Sequence, residues 1–381
     1  MKQPSLFEDW RSTLDEAIEW SLSSLREYGR RYRHWAVAYS GGKDSSATVA
    51  FVAWAVKAGL VPRPESLTVL YSDTRMELLP LRYSVSILCV ALREDGFTTR
   101  VVFPSLDDRF FVYMLGRGVP PPSNTFRWCT AQLKIEPMLA ALADLRHASG
   151  EKLLMLTGVR LGESAARDGR IAISCSKDSG ECGQGWFQVS TPESVADTLA
   201  PLLHWRLCHV YDWLYFDPRH GYEMHGIADV YGQEEVRTGC VGCNLASRDV
   251  ALERVIKNPR WVYLSPLLEL RALYAELKMP HRRKRKSKPE KRKDGLYSKN
   301  VQRLGPLTME ARAYGLERVL DIQARAMVDL INSEEEARIR ELWALNTWPE
   351  RWSETDIVGS VPIDAMSRTA DNQIVVQSLL I

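Results

Sequence analysis

The sequence contains no apolar run approaching the ~18 residues of a membrane span, and nothing after Met1-Lys-Gln-Pro reads as an apolar export signal. Both absences lead to the expectation of a soluble, cytoplasmic protein without a membrane partner. Cysteine is scarce, with seven in 381 residues. An odd number in a long chain without an export signal argues against a disulfide framework and favours metal ligation for some of them. The last cysteine is Cys243, so the stretch Thr369 to Ile381 carries no thiol. Internal repeats are absent. Neither charge sign dominates, the formal net charge being +2, but the basic residues are unevenly spread. A Walker A loop is missing too: Val37 stands where its first glycine belongs, and Asp44 follows the lysine.

What replaces it is Ala36-Val-Ala-Tyr-Ser-Gly-Gly-Lys-Asp-Ser-Ser-Ala47. Ala36 to Tyr39 reads as a buried strand, and Ala47 to Val56 as a helix with Asp44 and Ser45 near its start. Between them, Gly41 and Gly42 lack a Cβ, so the backbone can take φ > 0 and approach a ligand closely. Strand, glycine turn and helix N-terminus make an anion cradle from backbone N–H groups and the helix dipole.

Around this stretch the pattern alternates. A helix over Ser12 to Tyr28 opens on a capping-box pattern, Ser12-Thr-Leu-Asp, and presents Leu14, Ile18, Leu22 and Leu25 on one face. Further strands are predicted at Leu67 to Tyr71, Thr99 to Phe103 and Leu153 to Thr157, with a helix over Glu77 to Glu94 that buries Cys89. Strands alternating with helices imply an α/β fold: a doubly wound parallel sheet with ligands at the C-terminal strand edge. Asp73 and Thr74 fall on that edge, where Asp73 either meets an adenosine moiety or caps the next helix. Ile171 to Ser190, rich in serine, glycine and charge, reads as a mobile loop. Domain boundaries are expected as an N-terminal helix (1–30), a nucleotide domain (31–200), a cysteine-bearing segment (201–275), a basic linker (276–300) and a mostly helical C-terminal extension (301–381), its last thirty residues loosely ordered.

Two later stretches carry chemistry. Thr238-Gly-Cys-Val-Gly-Cys243 is a tight C-x-x-C whose thiolates suit zinc or an iron–sulfur cluster, and no second C-x-x-C completes a zinc ribbon. His281 to Lys293 holds nine Lys and Arg against one acidic residue. Such a block is either a solvated linker or a grip on the phosphates of DNA or RNA, with Arg282, Arg283, Lys284, Arg285 and Lys286 as the contacts.

Ser40-Gly-Gly-Lys-Asp-Ser45 resembles the pyrophosphate loop of the ATP pyrophosphatases, which cut ATP between the α and β phosphates. The resemblance implies that Ser40, Gly41, Gly42 and Ser45 hold the leaving pyrophosphate, that Lys43 neutralises it and that Asp44 serves Mg²⁺. Cys129-Thr with Lys134 and Pro137 resembles the C-T-x-x-x-K-x-x-P element of the phosphoadenylylsulfate-reductase superfamily. Gly158-Val-Arg-Leu-Gly-Glu-Ser164, with Arg167, resembles its G-x-R-x-x-E-S motif, in which Gly158 packs on the nucleotide and Arg160 binds phosphate. Pro201-Leu-Leu-His-Trp205 with Val210-Tyr-Asp-Trp213 is similar to a segment that follows its nucleotide domain.

Together with Gly305-Pro-Leu-Thr-Met-Glu310, these elements resemble one group, the ATP-pyrophosphatase/sulfurtransferase subunit of bacterial DNA phosphorothioation systems (the DndC or SspD type). The resemblance implies ATP and Mg²⁺ as ligands, a [4Fe–4S] cluster on Cys129, Cys240 and Cys243 with Cys182 as fourth ligand or an open iron, and zinc as the alternative metal. Cys175 and Cys208 are weaker ligand candidates. The implied partners are DNA, a cysteine desulfurase and the other subunits of such a system. Thiolation of tRNA, an adenylylsulfate-type reductase and a nucleotide-switched DNA-binding scaffold stand as alternatives; the missing C-terminal thiol argues against the reductase, and the presence of both Lys43 and Asp44 against the scaffold.

Overall fold

A computed structural model describes residues 12–163, 168, 169, 171, 180, 181, 186–188, 194–232, 236, 238–292 and 294–378. The chain forms two compact units: Met1–Asp73 with Glu77–Phe103 and Ile135–Thr238, and Thr74–Met76 with Pro104–Lys134 and Gly239–Ile381.

The first unit opens with α1 (Leu14–Gly29). Its capping box is set one residue later than the pattern suggested. Thr13 Oγ1 accepts from Glu16 N at 3.2 Å, and the Glu16 carboxylate accepts from Thr13 N at 2.7 Å. Ile18, Leu22 and Leu25 are buried as their spacing requires, while Leu14 is only half-buried. The strands β1 (His34–Tyr39), β2 (Ser66–Ser72), β3 (Thr98–Val102), β4 (Leu153–Leu156), β5 (Gly180–Glu181), β6 (Trp186–Gln188) and β7 (Ala196–Ala200) make one sheet in the order β3-β2-β1-β4-β7-β6-β5. The first five in that order run parallel; β6 and β5 add an antiparallel edge. This is the expected parallel-dominated α/β sheet, extended by three strands that apolar patterning did not reveal.

Helices α2 (Lys43–Lys57), α3 (Leu79–Glu94) and α4 (Glu136–Ser149) connect the parallel strands. Ala36, Leu70, Val102 and Leu153 pack with Ala141 and Leu142 of α4 in one core layer. The two-residue period of a strand turns Val37, Val69 and Leu154 to the other face, and all three are buried as well. Trp205 and Trp213, the latter beyond the short helix α5 (Leu207–Tyr211), pack their rings on Phe51 of α2 at 5.5 and 5.6 Å. Helix α6 (His225–Tyr231) lies so close to α3 that a Cβ on Gly226 would meet Pro80 O at 2.4 Å.

The second unit departs further from expectation. It contains α7 (Val250–Val255), α8 (Glu269–Leu277), α9 (Met309–Ala326) and α10 (Ser333–Ala344). Strands β8 (Arg283–Arg285), β9 (Leu304–Leu307) and β10 (Ile357–Val358) form an antiparallel sheet ordered β10-β8-β9, and β11 (Ala365–Arg368) pairs with β12 (Ile374–Gln377) as a hairpin. Beside its two long helices the extension thus carries short strands that the sequence reading did not include, and most of its last thirty residues are in regular structure or turns. Thr308 caps α9, its hydroxyl accepting from Ala311 N at 3.1 Å.

Residues 104–134 belong with this unit, although the sequence groups them with the nucleotide domain. The reason is a set of contacts more than 200 positions apart. Glu335, 2% exposed, pairs with Arg75 at 2.9 Å and Arg109 at 3.4 Å, and the Trp343 indole donates to Leu115 O at 2.8 Å. Among the described residues no helix is long and apolar enough to cross a membrane.

Candidate active site and thiol cluster

Strands β1 and β4 are neighbours, and the sheet extends from them in opposite directions. Such a switch point leaves a crevice at the C-terminal ends of the two strands. The Ser40–Ser45 loop follows β1 and Gly158 follows β4, so the two stretches singled out in the sequence flank the same crevice. Gly41 has φ +76°, the left-handed conformation a glycine turn permits, and Gly42 caps α2 with no side-chain acceptor. The Lys43 N–H meets the Tyr231 hydroxyl, while the N–H groups of Asp44 and Ser45 face no capping side chain and lie at the positive end of a helix of 15 residues, where an anion can take them. Ser45 braces the loop: its hydroxyl accepts from Ser40 N at 3.3 Å, donates to Gly42 O at 3.0 Å and meets Ser40 Oγ at 3.1 Å.

Three charges converge here. Asp44 receives the Lys43 ammonium at 2.9 Å on one oxygen and the Arg160 Nε–H at 2.5 Å on the other. Arg160 is 5% exposed and also donates to Trp205 O at 2.9 Å. A Cβ on Gly158 would stand 2.9 Å from the backbone of Asp44 and Ser45, so only glycine lets β4 deliver Arg160 this close. A cavity of about 320 Å³ is lined by Arg160, Gly162, His204 and Arg206.

Sequence reasoning missed Tyr231 at the end of α6. Its ring lies 5.1 Å from the Lys43 ammonium, and its hydroxyl meets the Thr238 hydroxyl at 2.6 Å and the Lys43 backbone N–H. Burial raises its pKa above the ordinary phenol value, so the hydroxyl stays protonated. No sequence motif marked it; only folding carries residue 231 to the loop.

Asp73 ends β2, is 6% exposed and donates its backbone N–H to Val102 O at 3.0 Å. It does not cap the next helix, because the N-cap of α3 is Leu78. Thr74 belongs to the second unit, where its hydroxyl accepts from Met76 N at 3.3 Å. On the C-terminal edge of the sheet, the buried hydroxyls of Tyr71, Ser72 and Thr157 have no hydrogen-bond partner among the described residues. Arg167, Cys175 and Cys182 lie outside the described residues.

Cys129, Cys240 and Cys243 all fall in the second unit, whereas Cys129 was expected on the nucleotide domain. An aromatic cluster brings the two stretches together: Trp128 stacks on Phe110 at 5.3 Å, and Phe110 meets Tyr274 at 5.8 Å. Burial first, and the neighbouring Cys243 second, raise the Cys129 pKa above the ordinary thiol value. Tyr274 lies near Cys240 and Cys243, is fully buried, and its hydroxyl has no hydrogen-bond partner among the described residues. The Cys243 backbone is pinned by Arg271, whose guanidinium donates to its carbonyl. The three thiols suit a soft metal centre in donor type; the Tyr274 hydroxyl, a hard oxygen donor, does not add to it. Among the described residues, however, no group of three or more His, Cys, Asp or Glu side chains is gathered tightly enough to hold a metal. Cys208 is exposed and Cys89 buried.

Within the basic run, residues 282–286 are not a solvated linker. Arg283 and Lys284, each 9% exposed, sit in β8. Arg283 donates to the carbonyls of Gly305 and Leu304, and Lys284 to those of Glu354 and Asp356. Arg282 pairs with Glu276 at 3.0 Å, Arg285 donates to Val361 O, and Lys286 pairs with Asp356 at 2.9 Å. These five cations serve the second unit's own packing, because its carbonyl-rich C-terminal loops supply acceptors that the local sequence does not display.

No family model matches the chain, and no curated protein matches it significantly. Solved structures that it resembles include phosphoadenylyl-sulfate reductase from Candida auris, at 13% identity over 56% of this chain and 88% of that one, with a TM-score of 0.32. The FMN adenylyltransferase of Candida glabrata, in complex with FMN and an ATP analogue, aligns at 12% identity over 56% and 60%, also with a TM-score of 0.32. The U34-tRNA thiolase NcsA of Methanococcus maripaludis, with its [4Fe–4S] cluster, aligns at 12% identity over 69% of this chain and 79% of that one, with a TM-score of 0.35.

Proposed function

We propose that this protein cleaves ATP between the α and β phosphates at the Ser40–Ser45 loop, and uses the adenylyl group to activate an acceptor for sulfur transfer. The observation that carries the reading is the convergence of Lys43, Asp44 and Arg160 on the N-terminus of α2 at the switch point of a parallel sheet. The loop's N–H groups hold the β and γ phosphates, and Lys43 balances the charge that builds on the leaving pyrophosphate. Asp44 is held by two cations, Lys43 and Arg160. On binding, the phosphates compete for those cations, which frees the carboxylate for Mg²⁺; the metal would offset phosphate charge there. Arg160 is then placed to pair with an α-phosphate oxygen. The unpartnered hydroxyls of Tyr71, Ser72 and Thr157 leave hydrogen-bonding capacity on the edge beside the loop, where the nucleoside would lie.

The acceptor we favour is a DNA backbone phosphate, as the motif combination implies. A phosphate oxygen attacks the α-phosphorus, the bridging oxygen departs with pyrophosphate, and a sulfide-level sulfur then displaces AMP to leave a phosphorothioate. Cys129, Cys240 and Cys243 are the residues that would hold a [4Fe–4S] cluster, whose chemistry would be the binding of that sulfur. A cysteine desulfurase would be its source. Mass spectrometry of nuclease-digested nucleic acids from cells with the wild-type protein and with Lys43→Ala separates the readings. Phosphorothioate-linked dinucleotides present only with the wild type support action on DNA. Thiolated tRNA nucleosides responding in their place would move the acceptor to tRNA.

A further inference from the structure

The second unit contains a cavity of about 640 Å³ that the ATP chemistry does not use. Tyr113, Phe126 and Trp352 line it together with Lys278, Arg283 and Arg303; no carboxylate is among the described lining residues, and Glu290 pairs with Arg303 at 3.6 Å. Gly305 is what allows the Trp352 indole into the wall, since a Cβ there would meet the ring at 2.1 Å. Arg283 is fixed by its two carbonyl bonds, so its charge is held in the wall rather than swinging in solvent. Lys278 has no carboxylate or carbonyl partner among the described residues, and burial, then Arg283, depresses its pKa below the usual lysine value. A half-buried ammonium beside a second cation is costly unless an anion joins them. Phe126 is 47% exposed, an aromatic face left to solvent at the same site.

We infer that this pocket binds a nucleotide unit of single-stranded nucleic acid. Three cations, of which only Arg303 has a carboxylate nearby (Glu290 at 3.6 Å), favour phosphate, and the exposed ring of Phe126 supplies the stacking face that an unpaired base needs and a paired base cannot reach. The volume lies in the range of sites that enclose a ligand of nucleotide size. The chain gives the pocket a further meaning. Pro120 to Phe126 lines it, Trp128 Nε1 donates to Pro120 O at 3.1 Å, and Cys129 follows directly. A strand seated here is held by the same short segment that carries a thiol of the cysteine cluster. As the seat of the acceptor the pocket rests on the proposed function; as a binding site for an unpaired nucleotide it stands without it.

The test is fluorescence anisotropy of a labelled twelve-nucleotide single-stranded DNA against the full-length protein and two variants. Phe126→Ala removes an exposed ring and Lys278→Gln an unpaired charge, so neither threatens the fold. Phe126→Ala should weaken binding about tenfold, the usual worth of one stacked base. Lys278→Gln should weaken it and lower the salt slope by about 0.7. ATP binding should stay at the wild-type level in both, which separates this inference from the loop assignment. Unchanged oligonucleotide affinity in both variants would overturn the inference, as would equal affinity for a hairpin duplex without unpaired bases. Failure of the wild type to bind ATP would instead count against the proposed reaction.

Discussion

Substituting Gly158 by alanine tests the site through a single methyl group. The added Cβ would stand 2.9 Å from the Asp44 carbonyl carbon, the Asp44 oxygen and the Ser45 nitrogen, all of them backbone. Ordinary contact begins near 3.4 Å, so the β4 loop and the start of α2 must separate by about half an ångström. No rotamer change relieves this, and overpacking of the kind costs about 1–3 kcal/mol. At 1.36 kcal/mol per factor of ten, strain expressed in the reacting geometry lowers turnover by about 10–100-fold. Gly169, with open space around it, is the matched control. Pyrophosphate release followed with a coupled phosphate assay gives the rates, and thermal melting shows whether stability falls alongside. Turnover by Gly158→Ala equal to that of Gly169→Ala would refute the claim that close approach of β4 builds the site.

Purified without oxygen, the protein should be brown, with broad absorption near ~400 nm, and Cys129→Ser, Cys240→Ser and Cys243→Ser should each bleach it. A colourless protein with one tightly bound zinc would reduce the thiols to a structural site. In metal-free protein, iodoacetamide should modify Cys129 only as pH rises beyond the ordinary thiol range. Its pKa is raised by burial and by Cys243, and only the thiolate reacts; full reaction at neutral pH would contradict this. Arg283→Ala should lower stability by about 2–5 kcal/mol, since it orphans the buried carbonyl of Gly305 and the half-buried one of Leu304, while Lys288→Ala, at an exposed position, should stay within about 0.5 kcal/mol. Denaturant midpoints for the two variants decide that point.

The loop was legible because its signals are local. Two glycines after a four-residue apolar run and before a long one allow one backbone arrangement, and β1, Gly41 and α2 took it. Arg160 was readable only as a motif, and its pairing with Asp44 across 116 positions needed the sheet. The packing of residues 282–286 was not legible for the complementary reason. Their charge is local and visible, but the carbonyls of Glu354, Asp356 and Val361 that absorb it lie at least 70 positions away. Strand β7 was missed because Asp197 and Thr198 interrupt its apolar pattern; Asp197 is nonetheless buried, its carboxylate accepting from the Tyr32 hydroxyl at 2.5 Å. Tyr231 and Tyr274 carried no signal at all, because what distinguishes them is the side chain they stand beside.

The central claim is that the Ser40–Ser45 loop directs cleavage to the α–β bond of ATP. Phosphorus NMR of ATP turned over with Mg²⁺ and a single-stranded DNA acceptor tests it most directly. The account predicts AMP and pyrophosphate in equal amounts, with neither formed by Lys43→Ala or Asp44→Ala. Accumulation of ADP and inorganic phosphate would contradict it.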